Sequence, residues 1–264
     1  MTNEAVAAIA ARVLGKPVPP AAVSRIKEGL TNESWLVAVR GERIVVRLST
    51  ADDRLLRIDR RSEQRVLAAV ERAGIGAEVL LVSPEERILV TRHLAGRTWT
   101  REDMRVPDNI RHVAILMQRL HALPVPAGVM ETNLPGVLSD YWLALDRLGV
   151  REPQGLWNRS ELEQVAATLS EGTTRCLCHN DVHHLNLVAA DRLWLLDWEY
   201  AGVGDPSFDL ASICCYHGYG EAERRLLLRY YLGRDSDAAY ARLGLACWLF
   251  DYIGQAWGIL RTRA

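Results

Sequence analysis

Residues 175–212, RCLCHNDVHHLNLVAADRLWLLDWEYAGVGDPSFDLAS, constrain this chain more than any other stretch. They place His179, Asp181 and Asn186 in one short segment, with Asp197 and Glu199 eleven and thirteen residues beyond Asn186. Between them residues 187–196 form two apolar runs broken by Ala190, Asp191 and Arg192, which predicts a β-hairpin. A hairpin returns its end to its beginning, so Asn186 and Asp197 are expected side by side. Such oxygen-bearing side chains suit a hard divalent cation, which prefers oxygen ligands.

The spacing His-x-Asp-x-x-x-x-Asn is that of a kinase catalytic loop, where the Asp accepts a hydroxyl proton and the Asn holds a metal. Asp197 stands where a kinase keeps its second metal ligand. A chain with this loop needs a nucleotide site, and the first 91 residues offer one. Residues 22–28, 34–40 and 43–48 are β-rich runs, the last two joined at Gly41 and Glu42. A helix is expected over 60–73, then strands over 78–82 and 87–91 around the turn Ser83-Pro84-Glu85-Glu86. The first loop holds Gly29, Thr31, Asn32 and Ser34: one glycine for close backbone approach to a phosphate, and three side chains that add hydrogen-bonding groups. The bland reading of that loop is a polar hairpin turn. Arg47 interrupts the apolar strand IVVRLS and needs a partner, which Glu63 on the following helix supplies. In kinases a strand-borne cation paired to a helix Glu grips the phosphates.

After residues 91–96 (TRHLAG), a connector, helices dominate. They are expected over 108–123, 137–148, 160–169, 206–216, 221–232 and 237–261, with a connection through Pro153, Gly155 and Trp157. The chain therefore divides into residues 1–91, a nucleotide-binding lobe, and 92–264, a catalytic and substrate-binding lobe. The amino-terminal residues 1–20 read as a short amphipathic helix ending before Pro17 rather than a signal peptide.

Charge excludes some partners. Lys plus Arg is 32 against 33 for Asp plus Glu, so no strong field points to nucleic acid or membrane. Residues 243–260 approach a membrane span, with Asp251 the one charge among them, but that carboxylate costs roughly 2.5–3.5 kcal/mol in a bilayer. A buried helix is expected there. The five cysteines are too few and too clustered for a disulfide framework and fit a reducing cytoplasm.

Other chemistries draw on the same residues. Cys176, Cys178, His179, His183 and His184 resemble a zinc cluster, but no second Cys or His group completes four ligands. Asp181 and Glu199 read as a hydrolase pair would leave Asn186 and the Arg47–Glu63 pair without a task. A non-catalytic nucleotide-binding regulator would be expected to lack Asp181, Asn186 or Asp197. On the last helix Trp248, Asp251, Tyr252 and Gln255 fall at i, i+3, i+4 and i+7 on one face. Two rings flanking a carboxylate suit a small organic cation, to which Trp198, Glu199 and Tyr200 add; the plainer reading of that face is core.

With these residues in view, the chain resembles the aminoglycoside phosphotransferase and choline kinase superfamily, nearest its bacterial choline, ethanolamine and thiamine kinase branch. The resemblance runs from Gly29 to Tyr216. CHNDVHHLNLV looks like the family's catalytic loop and LLDWEYAGVGDPSFDLAS its metal-binding segment. GLTNESW, VVRLS and LHALP resemble its phosphate loop, third strand and a recurrent helix end. It implies an α+β, protein kinase-like, two-lobed fold, with a small antiparallel-sheet lobe carrying one helix and a larger helical lobe. It also implies ATP and Mg²⁺, with Asp181 as catalytic base and Asn186 and Asp197 as metal ligands. Arg47 would hold phosphates beside Glu63, and the backbone of Thr91, Arg92, His93 and Leu94 would receive adenine. The expected acceptor is a small, cationic amino alcohol met by Asp181, Glu199, Tyr200, Trp248, Asp251 and Tyr252; the alternative is an aminoglycoside or sugar.

Overall fold

A computed structural model describes residues 1–26, 31–150, 158–172 and 174–263. Helix α1 (Asn3–Leu14) starts on a Thr2 cap and stops at Gly15. It buries Val6, Ala7 and Ala10 against the outer face of a five-stranded antiparallel sheet. The sheet strands are β1 (Val23–Arg25), β2 (Asn32–Val39), β3 (Glu42–Ser49), β4 (Val79–Ser83) and β5 (Ile88–Arg92), in spatial order β1-β2-β3-β5-β4. Alternation puts Trp35, Val37, Ile44, Val46, Ile88 and Val90 on the α1 side. Helix α2 (Arg60–Arg72) is inserted between β3 and β4, its Asp59 cap accepting from Arg61 N and Ser62 N.

The β2–β3 turn falls one residue earlier than the sequence predicts. Val39 pairs with Glu42, leaving Arg40 and Gly41 as a two-residue turn with φ of +50° and +84°. Positive φ at both positions matches the right-handed twist of the flanking strands, and glycine takes the second at no steric cost.

Beyond β5 the structure becomes helical: α3 (Pro107–His121), α4 (Leu134–Arg147), α5 (Arg159–Ser170), α6 (Pro206–His217), α7 (Glu221–Leu232) and α8 (Asp237–Arg261). Two small sheets interrupt them. In one, β7 (Cys176–Cys178) pairs with β10 (Gly202–Gly204); in the other, β6 (Arg97–Thr98), β8 (Leu187–Ala189) and β9 (Leu193–Leu195) lie side by side. The expected connection at Pro153, Gly155 and Trp157, and the end of the first predicted strand, lie outside the described residues.

Helix α8 is long and apolar enough to cross a membrane by length and composition, but it packs against α4, α5, α6 and α7, with Leu243, Leu249, Ile253 and Leu260 buried. One hydrophobic core joins α2, the turn before it and the inner sheet face (Leu56, Val66, Val70, Leu89) to the helical part (Met117, Leu138, Leu177, Leu195, Leu249).

Candidate active site

Strand β7 delivers the chain into a tightly braced loop. His179 is fully buried; its Nδ1 accepts from Asp181 N at 3.2 Å and its Nε2 donates to the Leu196 carbonyl at 2.9 Å. Accepting at one nitrogen fixes the proton on the other, so a single neutral tautomer ties the loop to the segment that carries Asp197. Burial lowers its pKa, which keeps it uncharged. Asp209 of α6 braces the loop from below, accepting from His179 N (2.9 Å) and Asn180 N (2.6 Å). The same carboxylate meets His121 Nε2 at 2.9 Å, while His121 Nδ1 pairs with the Tyr231 hydroxyl at 2.8 Å. Burial opposes charge on His121, but Asp209 outweighs it and raises the pKa. His121, Cys176 and Cys178 bring their donor atoms within 4.8 Å of one another, a grouping not foreseen in the zinc reading. Both His121 nitrogens are already engaged, so the trio packs as hydrogen-bonded core.

Strands β8 and β9 form the expected hairpin, and Leu196 N donates to the Asn186 carbonyl at 2.8 Å, closing Asn186 onto the residue before Asp197. The Asn186 amide nitrogen donates to the Asp181 carbonyl at 3.0 Å, which leaves Oδ1 to serve as an acceptor. Asp197 has φ of +65°, a left-handed conformation costly for a residue with a Cβ and frequent at functional sites. Burial, then the negative charge of Glu199, pushes its carboxyl up to about 7, against the opposing pull of Arg47.

Arg47 lies on β3 opposite Ser34 of β2 and reaches two acids at once: Glu63 of α2, and Asp197 Oδ1 at 2.8 Å. Glu63 and Arg47 are both buried, and Arg47 Nε has no hydrogen-bond partner among the described residues. An orphaned buried donor beside two carboxylates fits a polar anionic ligand that completes the set. Arg60, which the sequence did not single out, joins Asp53 (2.9 Å), Glu63 (3.0 Å) and Glu199 (3.0 Å). Its neighbour Arg61 is 70% exposed, and helix phase alone separates the two.

Several expected positions shift. Gly29 lies outside the described residues. Ser34 lies in a strand as expected, and β2 also takes in Asn32, because pairing with β3 begins at Asn32 opposite Ser49. Glu199, expected at the acceptor, is buried against the start of β2 and of α2: it accepts from the Thr31 hydroxyl, Asn32 Nδ2 (2.8 Å) and Arg60. In the connector, Thr91 pairs within the sheet with Val45 and Val79, Arg92 binds Glu42 and Glu78, and His93 N donates to the Arg43 carbonyl at 3.0 Å. The Leu94 carbonyl accepts from Gly96 N at 3.0 Å. The Thr91, Arg92 and His93 backbones are thus largely committed to the sheet.

The aromatic face of α8 also divides. Tyr252 is buried and accepts from Trp142 Nε1 of α4 at 2.7 Å, so it is core rather than pocket. Trp248 is half-buried against the same core, and Asp251 is exposed near Cys215. Tyr200 is half-buried, its hydroxyl accepting from Trp257 Nε1 at 2.8 Å and its carbonyl from Asn180 Nδ2 at 2.9 Å. The ring that does reach Asp181 is Tyr216 of α6, with Phe250 behind it. Both were overlooked: neither lies in a recognised motif, and their convergence depends on how α6 and α8 pack.

A sheet lobe with one inserted helix, a braced His-x-Asp-x-x-x-x-Asn loop and an apposed Asp define a phosphotransferase with the protein-kinase-like fold. The model of the phosphotransferase enzyme family (APH) matches residues 22–245, and the chain belongs to that family. Among curated proteins, the LicA protein of Haemophilus influenzae strain Rd is 27% identical over 191 residues, covering 70% of this chain and 70% of LicA. Another Haemophilus influenzae LicA is matched over 55% of its length. Thiamine kinase of Escherichia coli SMS-3-5 is 30% identical over 197 residues, covering 72% of this chain and 65% of the kinase. Among solved structures, choline kinase LicA from Streptococcus pneumoniae superposes with a TM-score of 0.76 at 20% identity, covering 97% of this chain and 90% of that one. A type I macrolide 2'-phosphotransferase superposes at 0.68 and 18% identity, covering 99% and 92%. These likenesses establish the two-lobed α+β architecture, and a kinase of this family takes ATP as co-substrate.

Proposed function

We propose that the chain transfers the γ-phosphoryl group of ATP to the hydroxyl of a small cationic alcohol of the choline, ethanolamine or thiamine type. The observation that carries this reading is the convergence of Asp181, Asn186 and Asp197 on one hairpin-closed site, faced by the Arg47–Glu63 pair. Phosphoryl transfer asks the protein for position and charge balance rather than covalent chemistry. Asp181 receives the proton of the acceptor hydroxyl as that oxygen lines up with the γ-phosphorus. Arg47 supplies positive charge to the phosphates, and Glu63 and Arg60 keep it in place. The donor set of Asn186 Oδ1 and the Asp197 carboxylate fits Mg²⁺: two hard oxygens, one on a carboxyl that burial and then the neighbouring acids make proton-hungry. Mg²⁺ held there would neutralise charge on the phosphates.

Two of the expected acceptor-side residues, Glu199 and Tyr252, do not serve this reading. Tyr200 and Trp248 are half-buried and Asp251 is exposed, and Tyr216, which touches Asp181, joins them as an acceptor-side candidate. The names of the curated relatives, a choline kinase among them, favour amino alcohols. An antibiotic phosphotransferase is the rival, supported by the full-length superposition on a macrolide enzyme. The five free thiols fit a reducing cytoplasm.

ATP consumption by the purified chain, measured with choline, ethanolamine, thiamine and streptomycin in turn, tests the reading. Stimulation by one of the first three is expected; stimulation by streptomycin alone would favour the rival. Asp181→Asn should fold normally and lose roughly 10²- to 10⁴-fold in turnover, the usual worth of a general base. Wild-type turnover in that variant would sink the assignment.

A further inference from the structure

The carboxylate of Asp181 is not bare. Its Oδ1 accepts from the Tyr216 hydroxyl at 2.6 Å, and its Oδ2 lies 3.5 Å from His183 Nε2. His183 Nδ1 accepts from Leu185 N at 3.2 Å, which puts the ring proton on Nε2, the nitrogen that faces the carboxylate. Asp181 therefore sits between two donors.

Tyr216 is held in place by more than its own hydrogen bond. Helix α6 is fastened to the catalytic loop by Asp209 and by Ser212, whose Oγ accepts from Val182 N at 3.1 Å. Tyr216 lies one helical turn beyond Ser212, on the same side of α6. Its ring meets His183 edge-on (5.0 Å between centroids, 76°) and Phe250 of α8 in the same way (5.4 Å, 79°). Yet 36% of Tyr216 is exposed. Its polar tip is spent on the carboxylate while about a third of the residue stays open to solvent next to Asp181.

We propose that Tyr216 is a positioning residue for Asp181 and the wall of the acceptor subsite. The assignment rests on the kinase reading above, in which Asp181 takes the acceptor's proton. The acceptor oxygen forms its bond to the γ-phosphorus as the bond from that phosphorus to the β–γ bridging oxygen breaks, and the proton passes to the Asp181 carboxylate. A carboxylate oxygen has two lone pairs, so Tyr216 occupies one position and leaves others for the incoming hydroxyl. Tyr216 keeps its own proton throughout. Without that hydrogen bond the carboxylate turns about its side-chain bonds and spends less time aimed at the acceptor.

The test compares Tyr216→Phe, Tyr216→Ala and Asp181→Asn in the full chain. ATP turnover is measured with thiamine, choline, ethanolamine and streptomycin in turn and with water as the sole acceptor, and melting temperatures are recorded alongside. Tyr216→Phe keeps the ring and should lower kcat roughly tenfold, leaving KM for ATP and the melting temperature unchanged. Tyr216→Ala should show the same fall in kcat and also a raised KM for whichever acceptor is used. Wild-type kcat in Tyr216→Phe, with Asp181→Asn inactive, would overturn the role of Tyr216 and leave the kinase reading standing. A kcat loss that tracks a fall in melting temperature would likewise overturn it, as a structural role. Wild-type turnover in Asp181→Asn, or no ATP turnover by the unmodified chain, would overturn the kinase reading itself.

Discussion

Asp197 carries a cost that the fold absorbs. Its carboxyl is pushed up to about 7, first by burial and then by Glu199, with Glu63 and Asp181 adding to it. In the unfolded chain it titrates near the ordinary carboxylate value, so between that value and about pH 7 the native state holds a proton that the unfolded state has released. Stability from this group is therefore present at low pH and lost as pH rises through the window. Asp197→Asn should melt higher than the wild type at pH 8 and lose that advantage as pH falls through the same range. The side chain is 37% exposed, so the gain should be no more than about 1 kcal/mol. The same variant should be inactive, which a melting series at several pH values and one turnover assay would check together. Arg47 makes a second case. Its guanidinium spans Glu63 and Asp197 at once, which a lysine ammonium on a flexible stem does poorly. Arg47→Lys should raise KM for ATP roughly tenfold while changing acceptor KM little, as initial-rate kinetics would show. The convergence of Asp181, Asn186 and Asp197 was legible because the loop spacing and the hairpin that closes it are local in sequence. Arg60, Asp209 and Tyr216 were not, since each acts across elements distant in sequence. An Asp inside the apolar run FDLASICC was a signal for Asp209, which also lies near the end of the segment that resembles the family's metal-binding stretch.

At the level of elements, periodicity located the helices well and oriented one of them incompletely. Trp248 and Tyr252 share a face of α8, as the spacing requires, but α4 covers that face at Tyr252 through Trp142. A helical pattern reports which side chains travel together, and the partner helix decides which of them see solvent. The start of the second strand lies two residues earlier than expected for a related reason: Asn32 is polar, yet ladder pairing with β3 claims it. The hairpin was foreseen because its breaker residues and apolar runs are local. Close backbone approach was not legible. A Cβ at Gly96 would sit 2.4 Å from the Ala189 carbonyl oxygen, where the chain runs beside β8 just before β6. Gly96→Ala should cost about 1–3 kcal/mol through backbone displacement, measurable by denaturant unfolding. Because β8 leads straight out of Asn186, turnover should fall with it.

At the scale of the whole molecule, the change from sheet to helix after β5 gives the outline of two lobes, yet the packing beneath does not stop there. Leu56, Val66, Val70 and Leu89 share one apolar interior with Met117, Leu177 and Leu195, and Leu195 N donates to the Ile75 carbonyl at 3.0 Å across the divide. Glu199 adds a polar fastening by holding Thr31 and Asn32. Glu199→Ala should free that edge of β2, seen as faster amide exchange over residues 31–36 in the absence of nucleotide. The shared interior has a further consequence, for heat rather than for catalysis. Because that interior crosses from the sheet part into the helical part, the two should come apart together, so scanning calorimetry should record one endotherm, with calorimetric and van't Hoff enthalpies in agreement.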